Sequence, residues 1–210
     1  MGLSHEMCGV EEASASQVEA TAPVGTPGTD DLVRLARAGS AIAWEMLYLR
    51  CFPRLLAYAR RRLPSEEHAR DAVSETMVRA VSSLDRFANE GAGFDAWLYG
   101  ILRHVVLDTQ RRLWREVPTE QTMPFSVATP VESSVADRLV DVEDVARLRS
   151  AFVRLTAAEQ EILELRVVAG LSAEAVAAVV GRRPGAVRMA QARALARLRK
   201  QLREEGWDVA

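Results

Sequence analysis

Cysteine is nearly absent from this chain, and the two it has, Cys8 and Cys51, lie far apart with no CxxC and no Cys/His cluster. That excludes a disulfide framework and a structural zinc site, and leaves Cys51 as a small buried hydrophobe. No apolar run approaches the roughly 20 residues needed to cross a bilayer, and the N-terminus lacks the basic start and apolar stretch of a signal peptide. A cytoplasmic protein with no membrane insertion is expected. No Ser/His/Asp or Cys/His set, paired-carboxylate cleft or cofactor fingerprint stands out. Gly91–Gly93 follows no strand and matches no phosphate loop, and His68 beside Glu67 and Asp71 lacks further ligands at metal spacing. The expectation is a non-enzyme with no cofactor and no metal.

Charge of one sign is missing locally. From Met1 to Asp31 there is no Lys or Arg, only Glu6, Glu11, Glu12, Glu19, Asp30 and Asp31. From Gly181 to Arg203 there is no acid, only Arg182, Arg183, Arg188, Arg193, Arg197, Arg199, Lys200 and Arg203. The net charge of −2 hides this segregation. A basic stretch that is almost all arginine suits phosphate and base-edge contacts.

Strand alternation is also missing, so the chain reads as all-α. Residues 1–29, rich in Ala, Ser, Thr, Gly and Pro, read as a disordered tail. Asp30 or Asp31 is expected to cap a first helix that Gly39 stops. A second runs from about Ala41 to Leu63, interrupted or kinked near Pro53. Ser65 caps a third, and a loop from Asn89 to Gly93 leads into a fourth, Phe94 to Arg115. That helix carries Phe94, Trp97, Tyr99 and Trp114 along with Arg103, His104, Arg111, Arg112 and Arg115. Trp97 lies on its apolar stripe and is expected to be a core anchor.

The period then fails in VPTEQTMPFSVATPVESS, which reads as a flexible linker dividing two small helical domains. The expected division is a tail at 1–29, a domain at 30–115, a linker at 116–140, a domain at 141–204 and a C-terminal tail at 205–210. In the second domain Thr156 and Glu159 form a capping box, Gly170 closes that helix, and Ser172 caps the next. LSAEAVAAVVGRRPGAVRMAQARALARL has the build of a helix-turn-helix: Ala177 small at a close crossing, Gly181 in the turn, Pro184 in the first turn of the second helix, Val187 buried. The start of such a helix enters the major groove, which brings Arg182, Arg183 and Arg188 to phosphates or base edges.

Four stretches together resemble the extracytoplasmic-function class of bacterial sigma-70 RNA polymerase sigma factors: DLVRLARAGSAIAWEMLYLRCFPRLLAYARRRL, DAVSETMVRAVSSLDRF, FDAWLYGILRHVVLDTQRR and the helix-turn-helix. The resemblance covers about Asp31 to Arg203, with the stretches in family order. It implies a sigma domain 2 that grips the core polymerase clamp and the −10 promoter element, and a sigma domain 4 that binds the −35 element. For the −10 element it points to Phe87 and Asn89 in the loop and His104 and Asp108 on the helix, with Arg103, Arg111 and Arg112 as backbone contacts by charge and facing. For the clamp it points to Asp71, Glu75, Met77 and Arg79, and for the −35 element to Arg182, Arg183, Gly185, Arg188 and Arg193. The implied partners are core RNA polymerase at clamp and flap, promoter DNA, and an anti-sigma factor as a candidate. His104 stands where many relatives carry Asn, and Met77 where Phe is common.

Two other classes fit parts of the chain. A response regulator with a helix-turn-helix output domain would suit LTAAEQEILELRVVAGLSAEAVAAVV, but it normally carries an α/β receiver. A helical adaptor would suit the acidic residues of Glu66–Glu75 and leaves the basic stripe unexplained.

Overall fold

The computed structural model describes residues 27–89, 91–116 and 142–207. Of the tail expected at 1–29, residues 1–26 lie outside the described residues, as do residues 117–140 of the linker expected at 116–140; Thr29 already belongs to the first helix and Glu116 to the fourth. Among the described residues there are helices and no strand. They are α1 (Thr29–Arg37), α2 (Ala41–Arg60), α3 (Glu66–Ser83), a 3-10 turn (Leu84–Arg86), α4 (Gly93–Glu116), α5 (Val142–Val153), α6 (Ala157–Leu163), a π-helical turn (Glu164–Val168), α7 (Ala173–Val180) and α8 (Pro184–Glu204).

The helix starts show how local chemistry sets boundaries. Ser40, Ser65, Thr156 and Ser172 each accept a hydrogen bond from a backbone N–H of the first turn, and Thr156 with Glu159 completes the capping box. The cap expected at Asp30 or Asp31 is instead Gly28, in extended conformation with no side-chain bond. The two aspartates sit in the first turn, where their charge favours the positive end of the helix dipole. Pro53 lies inside a continuous α2 and does not interrupt it. Pro53 and Leu49 are both exposed, so the Leu49 carbonyl that loses its partner can be met by water. At the other end α2 stops at Arg60, and Leu63 turns back to donate its N–H to Ala59 O, bringing its side chain into the core.

In the N-terminal half α1 packs on α2, and α2 and α4 on α3. Leu47, Leu55, Leu63, Val73, Phe94, Leu98, Leu102 and Val106 are almost wholly buried. Each such side chain contributes about 1.5–3 kcal/mol of burial. Phe87, Phe94 and Trp97 form one aromatic cluster, in which Trp97, expected as a core anchor, is half-buried and packs against the core. Cys51 is buried as expected, and burial, with Asp95 nearby, pushes its thiol up to about 11.

The two halves do not stand apart as the linker led one to expect. α4 packs against α7, and α2 against the π-helical turn, so a single apolar core runs from Leu32 through Leu102 and Val105 to Leu165, Val176 and Val187. A smaller cluster of Leu155, Leu163 and Ala194 ties α6 to α8. Sequence periodicity identifies an apolar face and not its partner; α7 is short, and Ala173, Ala175, Val176, Ala177 and Val179 are all buried, because it is covered on two sides.

Phe94→Ala is expected to cost about 3–5 kcal/mol, since it empties the centre of the aromatic cluster. Urea unfolding followed by far-UV circular dichroism measures this, and a loss under about 1 kcal/mol would contradict the placement.

Candidate promoter and polymerase interface

The helix-turn-helix is built as its pattern implies. Gly181 ends α7 in the left-handed region at φ 67°, and the next N–H, of Arg182, donates to Ala177 O at 2.9 Å, closing the turn. Pro184 opens α8 at the position where a missing N–H costs nothing, and Val187 is fully buried beneath it. Arg182, Arg183, Gly185, Arg188 and Arg193 all remain exposed on or beside the start of α8, as does Met189. Arg188 bonds Glu174 of α7 at 2.7 Å. In water such a pair is weak and yields readily to a phosphate. Ala190, by contrast, is buried.

On α4, His104, Asp108, Arg111 and Arg112 are exposed, with Asp108 paired to Arg111 at 3.0 Å. His104 Nδ1 lies 2.8 Å from Gly100 O, a contact that requires the proton on Nδ1. Phe87 differs from the expectation: it is 6% exposed, its ring packed against Phe94 and Trp97. Among the described residues of the loop, Ala88, Asn89 and Gly91 are exposed, and Asn89 donates to Asp30 at 3.4 Å.

A residue that pattern reading missed holds this loop. Arg37, at the end of α1, donates to Leu84 O at 2.9 Å, to Asp85 O at 3.2 Å and to Phe87 O, and its guanidinium lies over the Phe87 ring. Only backbone carbonyls receive it, so no side-chain motif announces the contact. On α3, Asp71, Glu75 and Arg79 are exposed, with Glu75 and Arg79 paired at 2.6 Å. Met77 is 6% exposed and belongs to the core, which removes it from that surface. Val78 and Val81 are the exposed apolar residues of the same helix; Val81 falls beside Ala80 on the apolar side by period, but the packing leaves it outside.

Between the halves lies a polar seam. Arg62 of the α2 C-terminus meets Glu164 of the π-helical turn at 2.6 Å, with side chains 15% and 4% exposed, and Arg62 also covers the Tyr58 ring. Glu161 of α6 accepts from Arg103 at 2.8 Å and from Tyr58 at 3.3 Å. Arg54 bridges Asp95 at 3.0 Å and Ala169 O at 3.2 Å. Burial pushes the Glu164 carboxyl up, outweighing the pull of Arg62, and pushes the Tyr58 phenol up to about 12. Arg103 is thus engaged by an acid of the other half.

Two family descriptions match, "Sigma-70 region 2" over residues 47–116 and "Sigma-70, region 4" over residues 151–200. The ECF RNA polymerase sigma factor SigD of Mycobacterium tuberculosis is 35% identical over 179 residues, 82% of this chain and 83% of its own. The chain belongs to the ECF class of sigma-70 family sigma factors. It is an alternative sigma factor that directs transcription initiation. The ECF sigma factor BldN of Streptomyces coelicolor is 33% identical over 177 residues, 83% of this chain and 66% of BldN. Among solved structures, CnrH in complex with the cytosolic domain of CnrY superposes with a TM-score of 0.60 at 28% identity, covering 84% of this chain and 99% of CnrH. The sigma factor RpoE of Bartonella quintana, bound to the anti-sigma factor NepR, gives 0.61 at 26% identity, covering 76% and 96%. For the sigma factor, no helix of the described residues is long and apolar enough to cross a membrane, and no group of His, Cys, Asp or Glu among them could hold a metal.

Arg37→Ala is expected to leave helix content and thermal midpoint nearly unchanged and to speed amide exchange at residues 84–89 by about tenfold or more, since local opening no longer breaks three charged hydrogen bonds. Hydrogen-exchange mass spectrometry gives the answer; unchanged protection would mean that the loop holds itself.

Proposed function

We propose that this sigma factor reads the −35 element with the start of α8 and the −10 element with α4 and the loop before it, while α3 grips the polymerase clamp. The observation that carries this is a single chain with two helical halves, each exposing arginine at one helix: Arg182, Arg183, Arg188 and Arg193, with Gly185, at the start of α8, and Arg111 and Arg112, with His104, on α4. Such contacts hold the DNA backbone and test base edges. Asn89, Arg103 and Asp108 belong to the −10 set. Phe87 acts from beneath the loop, as the packing on which Asn89 and its neighbours are presented. A base drawn out of the duplex needs a surface that offsets its lost stacking, and the loop before α4 supplies that place.

The clamp surface comprises Asp71, Glu75 and Arg79 with Val78 and Val81, a mixed polar and apolar patch of the kind that protein partners bury. Core polymerase, through clamp and flap, and promoter DNA are the partners. An anti-sigma factor is a third, since the structural neighbour RpoE was solved with one, NepR, and CnrH with the cytosolic domain of CnrY. The chain performs no catalysis of its own, takes no cofactor and acts in the cytoplasm. The proposed domain division is 30–115 and 141–204, with 1–29 as N-terminal tail, 116–140 as linker and 205–210 as C-terminal tail. The response-regulator class finds no support, since the described residues of the N-terminal half form helices and no strand. An adaptor with no DNA role would show no salt-dependent DNA binding.

Purified protein with core polymerase on fragmented host DNA is expected to produce discrete start sites sharing two upstream elements, which core alone does not. With the holoenzyme, Arg183→Ala is expected to weaken promoter binding and to lower the slope of log affinity against log salt by about 0.9. An unchanged slope would remove Arg183 from the DNA contacts.

A further inference from the structure

The start of α8 is short of side chains that could read a base edge by hydrogen bonds. From Pro184 to Ala194 the only uncharged polar residue is Gln191. It is turned to the protein, half-buried, with its amide oxygen accepting from Arg166 at 2.9 Å. No Asn or free Gln is therefore placed on this stretch to pair with adenine, and no acid from Gly181 to Arg203 can accept from the amino group of cytosine. The arginines remain, and a guanidinium fork matches a phosphate or the O6 and N7 of guanine.

What else faces outward is apolar. Met189 is 61% exposed and lies two residues on from the wholly buried Val187, about 200° round the helix. It therefore points away from the protein, between Arg188 on one side and Arg193 on the other. Gly185 and Ala192, exposed beside it, carry nothing that reaches as far. One exposed methionine is common on a protein surface. Here the place decides, because the flanking cations draw a nucleic acid onto this side of the helix.

We propose that Met189 is a specificity-determining residue of the −35 contact, which selects thymine through its 5-methyl group while Arg188 and Arg193 hold the DNA on either side. The proposal rests on the reading above that the start of α8 enters the major groove. Thymine is the one base that shows a methyl group there, so an apolar side chain against the groove floor meets a matching surface. Cytosine at the same place would set its amino group against the thioether and leave that donor without a partner. The unbranched methionine side chain adapts its three rotatable bonds to the groove floor, where a β-branched residue could not. A −35 element read in this way holds at least one T·A pair whose methyl group is the determinant, and burial of that one group contributes about fourfold in affinity.

The test uses holoenzyme assembled from the full chain and core polymerase, on a promoter obtained from the start-site experiment. Each thymine of the −35 element is replaced in turn by deoxyuridine, which keeps every hydrogen bond and loses only the methyl group. Wild type is expected to bind about fourfold more weakly when one particular thymine is replaced. Met189→Ala is expected to bind the natural promoter more weakly by about the same factor or more, and to be indifferent to that replacement. Its thermal midpoint and circular dichroism are expected to match wild type, because the side chain it truncates is exposed. A wild type indifferent to deoxyuridine at every position overturns the proposal, as does a Met189→Ala variant that keeps full sensitivity, or an element with no T·A pair. The salt slopes of Arg183→Ala, Arg188→Ala and Arg193→Ala separate this from the placement of α8. Lowered slopes with no deoxyuridine effect strike the methionine contact alone; unchanged slopes in all three strike the groove reading itself, and the proposal with it.

Discussion

The structure depends on α4 being buried along two sides. Toward its own half it presents Phe94, Leu98, Leu102 and Val106 to α2 and α3; it also packs against α7 of the other half. A helix used in this way needs apolar residues around much of its circumference, and α4 has them. Its polar side chains are pushed to the strip that remains, which is why His104, Arg111 and Arg112 gather on the exposed side while Arg103, at the margin, is drawn into the seam. The segregation of function along one helix is thus a consequence of packing.

The same constraint explains the contrast between the two DNA surfaces. α8 is anchored by Val187, Ala190, Ala194 and Leu202 on one side, leaving uncovered a side on which every charge from Arg188 to Arg203 is basic. Its pairs, such as Arg188 with Glu174, are in water and cost little to exchange for phosphates. Arg103 and Arg62 are less exposed, and their carboxylate partners hold them in a medium where losing a partner is expensive. One half offers its DNA contacts as they stand; the other has part of its cation engaged internally.

Much of this was legible in the chain. Ser65, Ser172, the Thr156–Glu159 box, Gly181, Pro184 and Val187 act locally, within a turn or two of their own backbone, and each does what its residue type and spacing imply. Arg188 and Arg193 are exposed because they fall off the face of α8 that Val187 occupies, and Arg182 and Arg183 because they lie in the turn before it. Legibility failed where a contact crosses the fold. Met77 and Val78 are neighbours in sequence, and only the packing of α3 determines that the methionine is inside and the valine outside. Arg37 reaches carbonyls some fifty residues away, which no periodicity can announce.

By itself the amino-acid order determined that the protein is helical, where most helices start and stop, which residues form a helix-turn-helix, and that a basic face accompanies it. These rest on backbone geometry, capping and apolar period, whose range is a few residues. Tertiary structure alone decided that the halves share a core, that Phe87 lies beneath its loop, and that Arg62 and Arg103 find their acids on the other half. Apolar burial has no direction and a charge accepts any partner of opposite sign, so neither names its counterpart until the chain has brought distant faces together.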